Sequence, residues 1–383
     1  GPGEVELGWP QWVLDFPTYG IASDGTAVCT WYEEGVGRLG TVSPDGTRAA
    51  LGLDGTAYAH IQVEGTTVLG IADHADRPRE LFRMDLRTAA PQVLRAEVDE
   101  GVPPTLVSRP QPMTWTSSRG EQVHGTYHAP ANDGFRAPTG ELPPLVVRVH
   151  GGPTSMTPIA SSLDTAYWTS RGLAVLDVNY GGSTGFGRAY RERLKGQWGV
   201  VDVDDTVTGA LAMAEQGLAD RSRLAIRGAS AGGFTTLAVL TSTDVFAAGA
   251  SYFGVADLEA LARDTHKFES RYLDSMVAPY PHGRDVYVER SPIHHVDRLS
   301  APMILLQGLD DRVVPPAQAE LMAGAVRAKG LPVALVEFEG EGHGFRSSEA
   351  QVRARDAEAY FYSRVFGYTL ADDDLEPVEI ENL

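Results

Sequence analysis

Gly228-Ala229-Ser230-Ala231-Gly232 spells G-x-S-x-G, between a short apolar run at 224–226 and an apolar segment suited to a helix from near Gly232. Small residues on both sides of Ser230 let the backbone turn sharply and lift the hydroxyl clear of a sheet. The N–H of Ala231 would then sit at a helix N-terminus, where it can face a developing oxyanion. A Gly-rich strand-to-helix turn with an ordinary serine would spell the same motif, and the strand before it and helix after it favour the catalytic reading. Two further groups follow in the chain order Ser, acid, His. Asp310 and Asp311 leave the end of an apolar run at 303–306, where either can orient an imidazole. His343 lies on the Gly-rich stretch Glu339-Gly340-Glu341-Gly342-His343-Gly344-Phe345 after the next apolar run, placed to act as general base and then general acid. A lone histidine is usually structural; one that follows an acid in this order is a candidate base. Upstream, Val149-His150-Gly151-Gly152-Pro153 ends another apolar run. The N–H of Gly151 or Gly152 can supply the second oxyanion donor, and a plain tight turn is compatible with that role.

These groups need a scaffold that brings distant strand ends together. Apolar runs at 145–149, 173–178, 224–226, 303–306 and 333–338 suit buried parallel strands, and helical patterns such as 204–216 and 317–329 alternate with them. Alternating β and α predicts a parallel sheet covered by helices on both faces. The first hundred residues differ. Asp24-Gly25, Asp45-Gly46, Asp54-Gly55 and Glu64-Gly65 punctuate short β-prone runs at 26–32, 57–63 and 67–71. Turns at that spacing predict antiparallel strands in a meander, sandwich or propeller. The expected division is a β-rich part at 1–108, an α/β part at 109–370 and an acidic tail at 371–383 that frays or docks on a neighbour.

Composition narrows the partners. The chain has 383 residues, 43% hydrophobic and 22% charged, with 42 Gly and 24 Pro, which excludes a largely disordered, collagen-like or small disulfide-framed protein. Lys plus Arg number 32 against 51 Asp plus Glu, a net charge of −19. That sign argues against nucleic acid and anionic membrane surfaces as partners. Cys29 is the only cysteine, so neither an internal disulfide nor a Cys-based zinc site is available. No apolar run spans a membrane, and the stretch from Gly1 to Glu4 lacks the basic and apolar order of a signal peptide, so a cytoplasmic location is the expectation. No cofactor or metal is expected. Asp202, Asp204 and Asp205 lack the spacing of a calcium loop and read as a solvated helix start. His294 and His295 suit a turn, Gly181 to Gly187 does not form a phosphate cradle, and Glu33-Glu34 reads as a solvated strand end.

Taken together, these motifs resemble the prolyl oligopeptidase family of serine peptidases, in particular its acylaminoacyl-peptidase and dipeptidyl-peptidase-like bacterial members. Segments 179–188, 196–205 and 291–295 extend the resemblance, which covers about 111–367. It implies an α/β-hydrolase fold, with a mostly parallel, doubly wound sheet, preceded by a partial all-β propeller-like region. It also implies hydrolysis of peptide or N-acyl and aminoacyl-peptide bonds through an acyl-enzyme. An esterase or acyltransferase would use the same residues, and a binding protein on a degenerate scaffold is the reading from another class. The family's Gly-x-x-Asp followed by Val-Pro fits Gly308, Asp311, Val314 and Pro315, which selects Asp311 over Asp310. An arginine that some members carry two positions later is Val313 here, with Arg312 one residue early. Where some members use a tyrosine for the oxyanion, His150-Gly151-Gly152-Pro153 points to backbone donors. By resemblance, Phe253, Val255 and Leu258 would line the pocket for the side chain before the scissile bond, and the same three fit a plain core.

A propeller blade takes about 40 to 50 residues and a closed ring at least four blades. The β-rich part therefore supplies roughly two, leaving sheet edges that further blades would cover. The expected partners are a peptide or small acyl substrate, an N-terminal propeller segment on a separate or longer polypeptide, and a second copy of the chain in a homo-oligomer. Size-exclusion chromatography followed by denaturing mass analysis checks the propeller expectation. A second peptide should co-purify, and an active preparation without one overturns the two-piece arrangement.

Overall fold

Turn chemistry shapes the first part of the chain. Asp24 and Asp45 each accept a hydrogen bond from the N–H two residues on, Thr26 and Thr47, at 2.9 Å, and the glycines between them take positive φ. These turns join β1 (Tyr19–Ile21) to β2 (Ala27–Glu33) and β3 (Val36–Val42) to β4 (Arg48–Ala50), and Glu34-Gly35 links the two pairs into one four-stranded sheet. A second four-stranded sheet holds β5 (Ala57–Glu64), β6 (Thr67–Asp73), β7 (Glu80–Asp85) and β8 (Ala90–Ala96). In both, every neighbouring pair is antiparallel and the spatial order follows the chain, the layout of propeller blades. Val28, Leu39, Tyr58, Ile61, Val68, Phe82 and Met84 form one apolar cluster across the two sheets. The computed structural model describes residues 5–8, 13, 15–97, 102–265, 267, 269–372 and 375–383. Gly1 to Glu4 and the tail residues Asp373 and Asp374, both used in the sequence reading, lie outside the described residues.

The second part contains β9 (Gln111–Thr116), β10 (Gln122–His128), β11 (Leu145–Val149), β12 (Ala174–Asn179), β13 (Leu224–Ala229), β14 (Ala248–Tyr252), β15 (Met303–Gly308) and β16 (Val333–Phe338). They form an eight-stranded sheet in the order β16-β15-β14-β13-β11-β12-β10-β9. Strands β11 to β16 pair in parallel, while β10 runs antiparallel to both β12 and β9. The helices are α1 (Leu163–Ser170), α2 (Arg188–Glu192), α3 (Val201–Glu215), α4 (Ala231–Leu240), α5 (Leu258–Asp264), α6 (Tyr272–Met276), α7 (Arg284–Arg290), α8 (Ala317–Ala328) and α9 (Ser348–Phe366). One apolar cluster joins the sheet to α3, α4 and α8, and another joins it to α1 and α9, so both faces are covered. Among the described residues, no helix is long and apolar enough to cross a membrane.

Buried charge fixes the α1 and α9 side. Arg148 of β11 holds Asp177 of β12 through two hydrogen bonds of 2.7 and 2.6 Å and reaches Asp164 of α1 at 2.8 Å. Arg227 of β13 lies 3.3 Å from Asp164 and 3.2 Å from Glu358 of α9. Burial alone would raise the Asp164 carboxyl, but Arg227, Arg148 and Arg355 outweigh it and hold the group below the usual carboxylate range.

Two sequence expectations are corrected. The acidic tail docks on its own chain rather than fraying or meeting a neighbour. Glu381 and Val333 exchange both backbone hydrogen bonds, at 2.9 and 3.0 Å, along β16, Val378 is buried, and Arg327 pairs with Glu381. Asp202 and Asp205 do not make a solvated helix start. Both are buried inside the first turns of α3, because their carboxylates accept hydrogen bonds from Gly199, Thr235 and Gly181 that replace water. Truncation after residue 374 removes the β16 bridge and the Val378 contact. We expect a loss of about 2 to 4 kcal/mol in urea unfolding, and an unchanged midpoint and slope would show that the tail adds no stability.

Candidate active site

Three strand ends and one turn build the site. Between β13 and α4 the chain reverses at Ser230, whose φ of 56° and ψ of −118° lie in a region that non-glycine residues rarely take. The flanking glycines make the turn possible. A Cβ on Gly232 would stand 2.1 Å from the Val149 oxygen, and one on Gly228 would stand 2.3 Å from the Gly232 oxygen. Ser230 N–H donates to the Tyr252 carbonyl of β14 at 2.9 Å, and the Ser230 carbonyl accepts from Phe234 N–H at 2.9 Å. The turn is thus held from both sides.

His343 reaches Ser230 from the loop after β16. Its Nε2 is 2.8 Å from Ser230 Oγ, and its Nδ1 is 2.8 Å from Asp311 Oδ2. With Nδ1–H donating to the carboxylate, Nε2 accepts from the serine hydroxyl, the polarity that proton abstraction needs. The other oxygen of Asp311 accepts from the N–H groups of Val313 and Val314 at 2.8 and 2.9 Å, so this acid is fixed and buried. Asp310, the alternative acid, is exposed, and no hydrogen bond joins it to His343. The imidazole loop is braced by Glu341, which accepts from the N–H groups of Arg346 and Ser347 at 2.7 and 3.0 Å. The Ser347 hydroxyl and those two N–H groups hold the Glu341 carboxyl below its ordinary value.

Gly151 and Gly152 lie beside the serine. A Cβ on Gly151 would fall 3.5 Å from Ser230 Cβ, and Gly152, at φ +122°, lines the pocket in front of it. His150 secures this loop. Its ring stacks on Tyr180 at 4.4 Å, Nδ1–H donates to the Gly151 carbonyl at 2.8 Å, and Nε2 accepts from the Ser183 hydroxyl at 2.7 Å. Burial pushes the His150 imidazole down to about 4, so it stays neutral in that pattern. The Tyr180 hydroxyl donates to the Pro153 carbonyl at 2.7 Å. Ala231, the first residue of α4, has an N–H with no intrahelical acceptor, next to Ser230 and in the same pocket.

The pocket has a volume of about 280 Å³. Val255 lines it, together with Trp198, Tyr272 and Val313, which the sequence reading did not assign to it. Phe253 and Leu258 are corrections to the expected lining. Phe253 instead packs edge-on against His343 at 4.8 Å and against Phe345 at 5.5 Å, supporting the imidazole from behind. Leu258 is fully buried as the first residue of α5, its N–H bonded to Ser291 Oγ at 2.9 Å, so it belongs to the core. Arg312 is exposed, whereas Val313 faces the pocket. The signal for the missed wall was position: Tyr272 lies in the long connection after β14, on the same edge of the sheet as the serine turn.

A sharp serine turn above a parallel sheet, with helices on both faces and two blade-like sheets ahead of it, makes this an α/β-hydrolase fold preceded by a partial propeller-like region. The model of the prolyl oligopeptidase family matches residues 160–369, more than half of the chain, and the chain belongs to that family. A solved Mycobacterium tuberculosis puromycin-hydrolyzing peptidase is 45% identical, with a TM-score of 0.95 over 100% of this chain and 58% of the other. A solved puromycin hydrolase is 42% identical, with a TM-score of 0.94 over 98% of this chain and 57% of the other. The dipeptidyl aminopeptidase BIII of Pseudoxanthomonas mexicana is 33% identical over 212 residues, which are 54% of this chain and 31% of that protein. The chain thus spans less than two thirds of the length of the proteins it matches.

Behind the pocket, Asp202 ties the Trp198 wall to the serine helix. Its carboxylate accepts from Gly199 N–H at 2.6 Å and from Thr235 Oγ1 of α4 at 2.5 Å. Burial pushes this carboxyl up to about 6, against the opposing pull of the Thr235 and Gly199 bonds. A carboxyl raised on folding holds its proton more tightly in the native state. Its contribution is therefore largest below the unfolded value of 3.8 and is lost as pH rises through about 6. In urea unfolding from about pH 4 to 6.5, the stability of the parent relative to Asp202→Asn should fall as pH rises. A difference between the two proteins that does not change with pH would count against this role for Asp202.

Proposed function

We propose that the chain is a serine peptidase that works through an acyl-enzyme, with Ser230 as nucleophile, His343 as the shuttling base and Asp311 as its orienting acid. The observation that carries this reading is the unbroken series from Asp311 Oδ2 to His343 Nδ1 and from His343 Nε2 to Ser230 Oγ, each step 2.8 Å. Nε2 takes the hydroxyl proton as Oγ bonds to the substrate carbonyl carbon, and the imidazolium is stabilised by Asp311. Charge developing on the carbonyl oxygen is met by the N–H of Ala231 and by that of Gly151 or Gly152. The tetrahedral intermediate then expels the amine, which leaves with the proton from Nε2. Water, deprotonated by the same nitrogen, releases the acid and restores Ser230.

The substrate class in this proposal is a peptide or an N-acyl or aminoacyl amide, supported by family membership and by relatives named as peptidases. Association with further propeller blades, homo-oligomerisation and a cytoplasmic location belong to the same proposal. The two open blade-like sheets support the first.

Fluorophosphonate labelling read by intact mass tests the nucleophile. One adduct is expected on the parent and none on Ser230→Ala. Asp311→Asn presents the imidazole with the wrong partner and should lower kcat by about 10³- to 10⁴-fold. Chromogenic anilides set beside simple esters separate peptidase from esterase. A parent that takes no label and cuts neither would be a binding scaffold.

A further inference from the structure

Beside the glycine turn runs the stretch from Tyr180 to Gly187, which has no regular structure and is buried from Gly181 to Gly185. A buried loop must find an acceptor for each of its N–H groups. Those of Gly181 to Thr184 bond to Asp205, Tyr190, Tyr180 and Ser155, all in the α/β part. The acceptor for Gly185 N–H comes from the β-rich part: it is the carboxylate of Glu6, which also pairs with Arg191 of α2. Glu6 is buried beside β2, where its carbonyl accepts from Tyr32 N–H at 3.0 Å. Gly35 N–H, in the turn between β2 and β3, donates to the Gly185 carbonyl at 3.0 Å. On its other side the loop grips the glycine turn and the residues after it. The Ser183 hydroxyl donates to His150 Nε2 at 2.7 Å, Thr184 N–H donates to the Ser155 carbonyl at 2.9 Å, and a Cβ on Gly185 would stand 2.7 Å from Met156 Sδ. Met156 in turn packs with Tyr32 and Ala57.

We propose that Glu6 is a positioning residue for the turn that carries the candidate oxyanion donors, acting through Gly185, Ser183 and His150, so that a side chain of the β-rich part sets the rate of the reaction in the α/β part; this rests on the serine hydrolase reading above. The route is continuous. The Ser183 hydroxyl occupies Nε2 of His150, which leaves the ring proton on Nδ1, and Nδ1–H holds the Gly151 carbonyl at 2.8 Å. That bond fixes the plane of the peptide joining Gly151 to Gly152. A donor shifted out of line costs stabilisation of the transition state rather than of the bound substrate, because the carbonyl oxygen gains its charge only as Ser230 Oγ adds to it. Removal of the Glu6 carboxylate leaves the Gly185 N–H buried without its acceptor and Arg191 without this partner. The loop must then move to satisfy them, and Ser183 moves with it. Glu6 itself touches neither the substrate nor the reacting atoms.

Hydrolysis of p-nitrophenyl butyrate, inhibition by butylboronic acid and the rate of fluorophosphonate labelling are measured for the parent, Glu6→Ala, Glu6→Gln, Ser183→Ala and the double variant Glu6→Ala with Ser183→Ala. The tetrahedral boronate on Ser230 places an oxygen where the oxyanion forms, so its affinity reads the donors directly. Glu6→Ala should lower kcat about five- to fiftyfold with KM unchanged, and weaken the boronic acid and slow labelling by a similar factor. Glu6→Gln keeps an acceptor for Gly185 N–H without the charge opposite Arg191 and should fall between the two. Ser183→Ala should act in the same way, and the double variant should lose little more than the weaker single one, because both changes act on one route. Urea unfolding checks that each protein folds, and Glu6→Gln carries the comparison if Glu6→Ala does not. An unmoved kcat and boronic acid affinity in a folded Glu6 variant overturns the proposal. A loss confined to KM also overturns it, and losses that multiply in the double variant overturn the route through Ser183. A parent that takes no label and cuts no ester overturns the hydrolase reading itself, and the inference with it.

Discussion

Everything at the site depends on how closely three backbone segments approach one another. Val149 at the end of β11, Gly228 at the end of β13 and Gly232 at the start of α4 meet with no room for a Cβ on either glycine. That contact forces Ser230 into its left-handed φ of 56°, a conformation that costs on the order of 1 to 3 kcal/mol and persists only where its surroundings over-determine it. Here they do. Helix α4 is buried along its whole length, and Phe234 within it packs on Trp198 at 4.7 Å. The nucleophile is therefore positioned by the least adjustable part of the domain, while its partners arrive on loops.

Both flanks of this unit are tied by buried charge rather than by apolar packing alone. On one side, Arg227 of β13 is bracketed by Asp164 and Glu358 and lies over the rings of Trp168 and Tyr252. On the other, Asp202 joins α3 to α4 through Thr235. Such groups add little net stability, because desolvation offsets much of their attraction, but each tolerates only one arrangement of its partners. The site gains a fixed register from them. Glu341 does the same for the histidine loop, and His150 for the glycine turn.

Much of this was legible in the sequence, for identifiable reasons. Strands β11 and β16 coincide with their apolar runs because central parallel strands are buried on both faces and read as continuous hydrophobic stretches. The serine, acid and histidine stood out because chemistry and chain order constrain them jointly. Strand β14 was missed: Ala248-Gly249-Ala250-Ser251-Tyr252 lacks β-branched residues, since a Cβ on Gly249 would come within 2.3 Å of Leu240. Strands β9 and β10 escaped notice because they carry polar residues at the antiparallel side of the sheet. The burial of Asp202 and Asp205 was invisible for a different reason. Three acids in four positions look solvated until Thr235 and Gly181, far away in the chain, supply their donors. Phe253 shows the limit of transferring a role by position: its residue type suits a pocket, yet its ring packs edge-on against His343 at 4.8 Å.

The docked tail has a consequence for how copies of this protein avoid one another. An open sheet invites another chain to add a strand at either side. At one side, β9 carries Pro112, which has no N–H to offer. At the other, the bridge between Glu381 and Val333 occupies the rim of β16. Glu381 thus guards the Val333 end of that edge against strand addition by another copy. Any load that pulled Glu381 away would leave that end of β16 open as a template for aggregation.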